Sequence, residues 1–291
     1  MNASHWTEQK EAAAGYWHVK LILILFKVLP IILLRMLAFP VGFFYFLFSK
    51  SVRNHSRAYL SRLSRHAKLS SLVHIISFAL ALVEKVESWG GKVLSKRIMY
   101  QDDDIGDLVE KLEKGEGVLL ISSHLGNMEF IRALADMDRT KAQKKISVNA
   151  IVDMAVTAHF NRMLKELNPQ STTHLLSAQD MGPDTVIQLQ EKLSMGELVV
   201  IAGDRTAAGP QSRYIPLPFL GENAPFPYGP FFLAALMNVP IYLVFAMRQK
   251  DLSLRSLYSM HIHKCSISFD CSRREREERV KELAIWFADH L

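Results

Sequence analysis

Residues 117–129 read GVLLISSHLGNME, an apolar run that leads directly into a polar turn. The segment from Gly117 to Ser122 is short and apolar, which is typical of a strand buried on both faces of a sheet. Glycine at position 126 permits a tight reversal, and a helix is predicted from Asn127 to Met137. We therefore expect a strand–turn–helix unit with His124 in the turn and Glu129 in the first helical turn.

The same alternation of short apolar runs and helical patterns continues along the chain. Further strands are predicted at Ile146–Val152, Thr172–Leu176, Glu197–Ala202, Ile241–Met247 and Ser259–Phe269, and helices at Asp102–Glu113, Thr157–Leu167, Pro183–Leu193, Pro230–Met237 and Arg273–Leu291. This order indicates an α/β fold, a central mostly parallel sheet flanked by helices. We expect residues 89–291 to form this domain, with its reactive groups beyond the carboxyl ends of the strands.

The N-terminal quarter has a different composition. Between Ala12 and Val83 the chain has no Asp or Glu but nine Lys and Arg residues, whereas the whole chain has a net charge of +6. The apolar runs Leu21–Leu34 and Met36–Phe48 lie within this basic stretch, and a basic helix is predicted from Lys50 to Lys68. Nucleic-acid binders rarely combine a basic patch with such apolar runs, so attraction to anionic lipid headgroups explains both features better.

We therefore predict that residues 1–88 form an apolar and basic helical segment that associates with a membrane. Lys27, Arg35, Pro30 and Pro40 interrupt the apolar runs, which favours a kinked or re-entrant hairpin, or helices lying in the interface, over a plain span. A pair of buried core helices is the alternative. The positive-inside rule places the basic block and the α/β domain in the cytoplasm.

His124 and Glu129 form a candidate acid/base pair. Glu129 could fold back from the helix and accept one ring N–H of His124, which would set the tautomer and stabilise the imidazolium. A substrate hydroxyl or amine would then be the nucleophile. A structural or surface histidine fits the same spacing, and a metal at this pair would lack a third ligand.

The segment HLGNME at His124–Glu129 resembles the HxxxxD/E motif of the glycerolipid (lysophospholipid) acyltransferase superfamily. More specifically, SSHLGNMEF resembles the H-x-G-N-W-E motif of the lipid A lauroyl/myristoyl acyltransferases, with Met128 in place of the usual Trp. The resemblance extends to AHFNRMLKELNP, AGDRTAAG and IPLPFLGENAPFPYGPFFLAALMNVPIYLVF, and covers most of the chain. Members commonly run on past the position of Leu291, so we expect a shortened tail.

The resemblance implies transfer of an acyl group from an acyl carrier protein or coenzyme A thioester to a hydroxyl or amine of a lipid acceptor. His124 would be the general base and Glu129 its orienting partner, without a bound cofactor or metal. It also implies a location at the bacterial inner membrane, with membrane lipids and acyl carrier protein as partners and no nucleic acid. A non-catalytic lipid-binding protein and a lipid ester or thioester hydrolase are the alternatives.

Six further residues are predicted to contact substrate. They are Ser123, Gly126, Asn127, Asp204, Arg205 and Arg213. Backbone N–H groups near Gly126 and Asn127 could stabilise an oxyanion, and either arginine could bind a phosphate. An Asp204–Arg205 contact that only pins a surface loop is the alternative for that pair. Cys265 and Cys271 are expected to be reduced thiols.

Overall fold

The computed structural model describes residues 24–26, 28–63, 71–89, 97–101, 104–131, 146–152, 173–179, 181–206 and 212–291. Its helices are α1 (Ile31–Phe48), α2 (Lys50–Arg62), α3 (Ser71–Trp89), α4 (Asp104–Glu113), α5 (Pro183–Ser194), α6 (Tyr228–Met237) and α7 (Arg273–Asp289). Its strands are β1 (Ile98–Tyr100), β2 (Val118–Ser122), β3 (Val148–Val152), β4 (Thr173–Ser177), β5 (Leu198–Ala202), β6 (Tyr214–Phe219), β7 (Glu222–Pro227), β8 (Ile241–Arg248) and β9 (Tyr258–Lys264).

The main sheet contains seven of these strands in the order β1-β9-β8-β2-β5-β3-β4. All its neighbouring pairs are parallel except β8 and β9. Helices flank the sheet, so the predicted α/β class with a mostly parallel sheet is confirmed. Strand β2 lies between β5 and β8, and an apolar layer covers each face of the sheet, which explains why its side chains are buried on both faces.

The two faces of the sheet support separate apolar layers. Leu119 and Ile121 of β2 pack with α5, α6 and α7 in one layer, whereas Val118 and Leu120 pack with α4 in the other. This alternation follows from the two-residue repeat of a strand. It fixes the register of β2 firmly, because a one-residue slip would exchange the two sets of side chains.

The N-terminal helices lie beside this sheet. Helix α1 has 18 residues with a mean hydropathy of 2.1, so it is long and apolar enough to cross a membrane. Only 22% of it is buried inside the protein. Ala38 of α1 packs against Ile76 and Leu80 of α3, and Gly42 lies so close to Ile76 that a Cβ atom there would be 2.8 Å from its side chain. One apolar helix by itself is weak evidence for a membrane.

Several predicted boundaries differ from the observed ones. The predicted helix from Asn127 begins as a 3-10 turn at Met128–Ile131, and its later part lies outside the described residues. The predicted strand Ser259–Phe269 ends at Lys264. Both the predicted helix Thr157–Leu167 and the first part of the apolar run from Leu21 lie outside the described residues.

An unpredicted hairpin follows β5 in the chain. Strands β6 and β7 pair antiparallel, with Pro216 opposite Pro225. Prolines normally weaken a strand prediction because they cannot donate to the ladder, but a two-stranded ribbon has a free edge on each side. Strand β7 ends at Pro227 and α6 begins directly after it at Tyr228, two residues before the predicted start at Pro230.

Candidate active site

The site begins where two neighbouring parallel strands end. Strands β2 and β5 pair in register, with Ser122 opposite Ala202. His124 and Asp204 each lie two residues beyond these partners, so the register brings them side by side. The backbone N–H of His124 donates to Asp204 Oδ2 at 2.8 Å, and His124 Nδ1 lies 2.9 Å from Asp204 Oδ1.

The carboxyl group of Asp204 is suited to remain ionised. Burial raises its pKa, but the hydrogen bonds and charge of His124, together with the positive charge of Arg205, outweigh this effect and lower the pKa below its usual value. An ionised carboxylate can only accept hydrogen bonds. His124 Nδ1 must therefore carry the proton in this contact, which leaves the lone pair of the neutral ring on Nε2.

The imidazole of His124 remains accessible. Its side chain is 35% exposed, whereas that of Asp204 is 19% exposed. Among the described residues, none is seen to hydrogen-bond Nε2 of His124. The ring is thus held from one side and open on the other, as a general base requires.

Glu129 has a different partner from the one predicted. Its carboxylate Oε1 lies 2.9 Å from Lys85 Nζ of α3, and its side chain is 12% exposed. Ser88 of the same helix donates to the Glu129 carbonyl oxygen at 2.8 Å. The predicted hydrogen bond from the His124 ring to Glu129 is therefore wrong for this structure, because Asp204 from the neighbouring strand occupies that position.

The turn after His124 is shaped by close backbone packing. Gly126 has a φ of 75°, and a Cβ atom there would lie 2.1 Å from the Ala246 carbonyl oxygen of β8. The N–H of Asn127 donates to that same oxygen at 2.9 Å. This donor is therefore already used, which corrects the prediction that it faces an oxyanion; the N–H of Gly126 stays a predicted donor.

Two other predicted substrate contacts have structural partners. The buried hydroxyl of Ser123 accepts the N–H of Leu125 at 3.1 Å and so helps to form the turn. The guanidinium of Arg213 lies 4.1 Å from the centre of the Tyr228 ring, and its Nη2 is 3.4 Å from Glu277 of α7. Arg213 is 67% exposed, so these contacts leave it accessible.

The structure thus brings His124, Asp204 and Arg205 together beyond the carboxyl ends of the neighbouring strands β2 and β5. The sequence places His124 and Asp204 at the same offset from the ends of their strands, but it does not show that the two strands are neighbours. No sequence motif marked Lys85 as a residue of the site, since it lies in the predicted membrane segment. No group of three or more His, Cys, Asp or Glu side chains that could hold a metal occurs within the described ranges.

Comparison with known proteins identifies the family of this chain. No curated protein sequence matches the chain. The family model for bacterial lipid A biosynthesis acyltransferases matches residues 4–283, which is nearly the whole chain. The protein is therefore an acyltransferase that belongs to the bacterial lipid A biosynthesis acyltransferase family.

Proposed function

We propose that this protein transfers a fatty acyl group from a thioester donor, an acyl carrier protein or coenzyme A, to a hydroxyl or amine of a membrane lipid, with His124 as the general base. The observation that carries this proposal is the His124–Asp204 pair, which leaves Nε2 of an accessible ring free to take a proton. The family match supports a lipid acceptor.

The reaction follows from the tautomer of His124. Nε2 takes the proton of the acceptor hydroxyl while the acceptor oxygen bonds to the thioester carbonyl carbon. The tetrahedral intermediate then collapses, the C–S bond breaks, and the imidazolium returns its proton to the leaving thiolate. Asp204 stabilises the transient imidazolium through Nδ1–H, as the carboxylate of a serine-hydrolase triad does.

In this proposal Asp204 is the positioning residue for His124. Its two oxygens bind both the backbone N–H and the ring of the same histidine, so they fix the ring relative to the turn. Glu129, predicted to be catalytic from its motif, acts through Lys85 and holds the turn against α3. Arg205 stays close enough to Asp204 to affect its pKa, and we propose that it attracts an anionic group of the substrate.

We also propose a bacterial inner-membrane location with the sheet facing the cytoplasm, where acyl thioesters are made available by carrier proteins. The basic residues of α2 support this orientation, because positive charge concentrates on the cytoplasmic side. Ser123, Gly126 and Arg213 remain proposed contacts of the donor or acceptor.

The test compares purified membranes that contain wild-type protein, His124→Ala or His174→Gln. His174 is an exposed histidine on the edge strand β4 and serves as the matched control. Acyl carrier protein charged with a labelled acyl chain is added to the membranes. Mass spectrometry then distinguishes labelled lipid from labelled free fatty acid. We expect His124→Ala to abolish lipid acylation and His174→Gln to retain it. Full activity of His124→Ala would refute the proposal, and release of free fatty acid without acylated lipid would indicate a hydrolase.

A further inference from the structure

A buried carboxylate in helix α3 has no part in the proposed chemistry of His124. Glu84 is 0% exposed. The Tyr258 hydroxyl of β9 donates to its Oε2 at 2.5 Å, and Arg248 Nη2 at the end of β8 lies 3.1 Å from its Oε1. A buried ion pair commonly adds no stability over a well-packed apolar pair, so stability alone does not account for this group.

The Tyr258 side chain connects Glu84 with the segment that follows His124. Tyr258 is 1% exposed, and its ring stacks on the ring of Phe130 with 4.0 Å between the two centroids. Burial and the charge of the Glu84 carboxylate raise the pKa of the Tyr258 hydroxyl, so this hydroxyl keeps its proton and donates to Glu84. The Tyr258 oxygen still has lone pairs with which to accept a hydrogen bond.

The donor that lies near this oxygen is the side-chain amide of Asn127. Asn127 is 5% exposed, and its Oδ1 accepts the N–H of Glu129 at 3.2 Å. Its Nδ2 is buried without a hydrogen-bond partner of ordinary length within the described ranges, yet the amide is close enough to Tyr258 to lower the pKa of that hydroxyl. Because a buried donor without a partner is costly, a small approach of Nδ2 to the Tyr258 oxygen is favourable.

The backbone of Asn127 is bound to the strand that carries Arg248. Its N–H donates to the Ala246 carbonyl oxygen at 2.9 Å, and Ala246 lies two residues before Arg248 in β8. The contacts therefore form a closed ring from Arg248 through Glu84, Tyr258 and Asn127 back to β8. Helix α3 and strands β8 and β9 meet the turn in this ring, so each of them limits its movement.

The turn needs this support because it contains Gly126. This glycine has a φ of 75°, and a residue without a Cβ atom restricts the backbone less than any other. On one side the turn is held by Asp204, which binds the backbone N–H and the ring of His124. On the other side it is held at Asn127, which carries the contacts to β8 and to Tyr258.

We propose that Glu84 and Tyr258 are positioning residues for acyl transfer, because they hold Asn127 and thereby the turn that carries His124. Both side chains are buried, so they act through Asn127 and not by contact with substrate. This role rests on the proposed function of His124 as the general base. A displacement of about 1 Å at a reacting group can cost about a hundredfold in rate, so loss of the Tyr258 hydroxyl should lower kcat and leave KM nearly unchanged.

Two tyrosines on neighbouring strands provide a matched comparison. Tyr258 and Tyr242 of β8 are 1% and 0% exposed, and they donate to the carboxylates of Glu84 and Asp107 respectively. Tyr242 lies at the amino end of β8, whereas His124 lies beyond the carboxyl end of the parallel strand β2. Phenylalanine at either position removes one oxygen atom and keeps the ring. The unfolding midpoint of each variant in detergent reports the structural cost of the lost hydroxyl.

The activity test uses purified membranes that contain wild-type protein, Tyr258→Phe or Tyr242→Phe. Initial rates per amount of enzyme are measured as the concentration of acyl carrier protein charged with a labelled acyl chain is varied. We expect Tyr258→Phe to lower kcat at least tenfold, with the KM for the donor within twofold of wild type. Tyr242→Phe should keep kcat within twofold of wild type. A kcat of Tyr258→Phe within threefold of that of Tyr242→Phe would overturn the proposal.

A second substitution tests whether Glu84 acts through Tyr258. Glu84→Gln keeps the size of the side chain and removes its charge. We expect it to lower kcat in the wild-type background and to have no further effect in Tyr258→Phe. Independent losses that multiply in the double variant would show that Glu84 does not act through the Tyr258 hydroxyl.

His124→Ala, assayed in parallel, separates this proposal from the proposed function. Activity that persists in His124→Ala would refute the role of His124 as general base. An inactive His124→Ala together with a fully active Tyr258→Phe would refute the positioning role alone.

Discussion

The carboxylate of Asp204 binds His124 twice, through the backbone N–H at 2.8 Å and through ring Nδ1 at 2.9 Å. The two residues are 80 positions apart in the chain. Each carboxylate oxygen accepts from one donor of the same histidine, so a rotation of the ring would break one contact while the other persists. This bidentate arrangement makes the effect of an amide at position 204 predictable.

Replacement of Asp204 by Asn should reverse the tautomer of His124. The backbone N–H needs an acceptor, so the amide oxygen should face it and the amide NH2 should donate to Nδ1. The ring proton then moves to Nε2, which can no longer act as a base. We expect kcat to fall by roughly 10³ to 10⁴, as for the equivalent change in a serine-hydrolase triad, with little change in KM.

The matched control for that substitution is Asp184→Asn, an exposed carboxylate at the start of α5. Asp204→Glu, which keeps a carboxylate, should retain part of the activity. Initial rates of acyl transfer at several acceptor concentrations separate kcat from KM. An Asp204→Asn enzyme with a kcat within threefold of wild type would show that Asp204 does not position His124.

Substitutions of Lys85 and Glu129 should have non-additive effects on the free energy of unfolding. Their side chains are 33% and 12% exposed, with 2.9 Å between Nζ and Oε1, so each single change leaves a half-buried charge without its partner. We expect Lys85→Met and Glu129→Gln each to lower the free energy of unfolding by about 1–2 kcal/mol. The double variant should lose less than the sum of both, as measured by urea unfolding in detergent.

Glu129→Gln also distinguishes the role of the Glu129 carboxylate from that of Asp204. Because Glu129 contacts Lys85 and not the His124 ring, we expect its kcat to fall by much less than that of Asp204→Asn. The same acyl-transfer assay measures both. If Glu129→Gln were as inactive as His124→Ala while its stability stayed near wild type, Glu129 would be catalytic in its own right.

Gly126 should not tolerate a side chain. Its φ of 75° disfavours other residues, and a Cβ atom would lie 2.1 Å from the Ala246 carbonyl oxygen. We expect Gly126→Ala to lower the free energy of unfolding by about 2 kcal/mol or more and to impair catalysis by moving the His124 turn. Gly106→Ala is the control, because a Cβ atom there meets nothing within 4 Å; it should be neutral or stabilising in helix α4. Thermal unfolding of both variants tests this prediction, and equal unfolding midpoints for Gly126→Ala and Gly106→Ala would refute it.

A fall in pH should reduce the stability that Asp204 contributes to the folded protein. Its pKa is lower in the folded state than the usual unfolded value of about 3.9. Asp204 therefore contributes stability above the unfolded pKa, and this contribution disappears as the pH falls through the folded pKa. We expect wild type to be more stable than Asp204→Asn at pH 7 and the difference to shrink below about pH 4. Unfolding midpoints of both proteins across this range test the prediction, and a constant difference would contradict it.

The order of strands and helices could be predicted because each element has its own local pattern. Leu198–Ala202 is apolar throughout and Val118–Ser122 is apolar up to its last residue, as expected of strands that are covered on both faces of the sheet. The hairpin β6–β7 was missed although Ile215 and Leu217 alternate with exposed residues, because its prolines argue against a strand. The short strand β1, with three residues, is too brief to carry a periodic signal.

The candidate site was only partly predictable. The position of His124 after a buried strand follows from local sequence, and so does the need for glycine at a tight turn. The carboxylate that binds its ring does not, because local spacing favoured Glu129, five residues away, over Asp204. The order of strands in the sheet makes β2 and β5 neighbours, and helix α3 draws Glu129 toward Lys85. Sequence alone thus specified the histidine and its turn, whereas tertiary structure selected its partner, since strand adjacency depends on packing between segments that are distant in the chain.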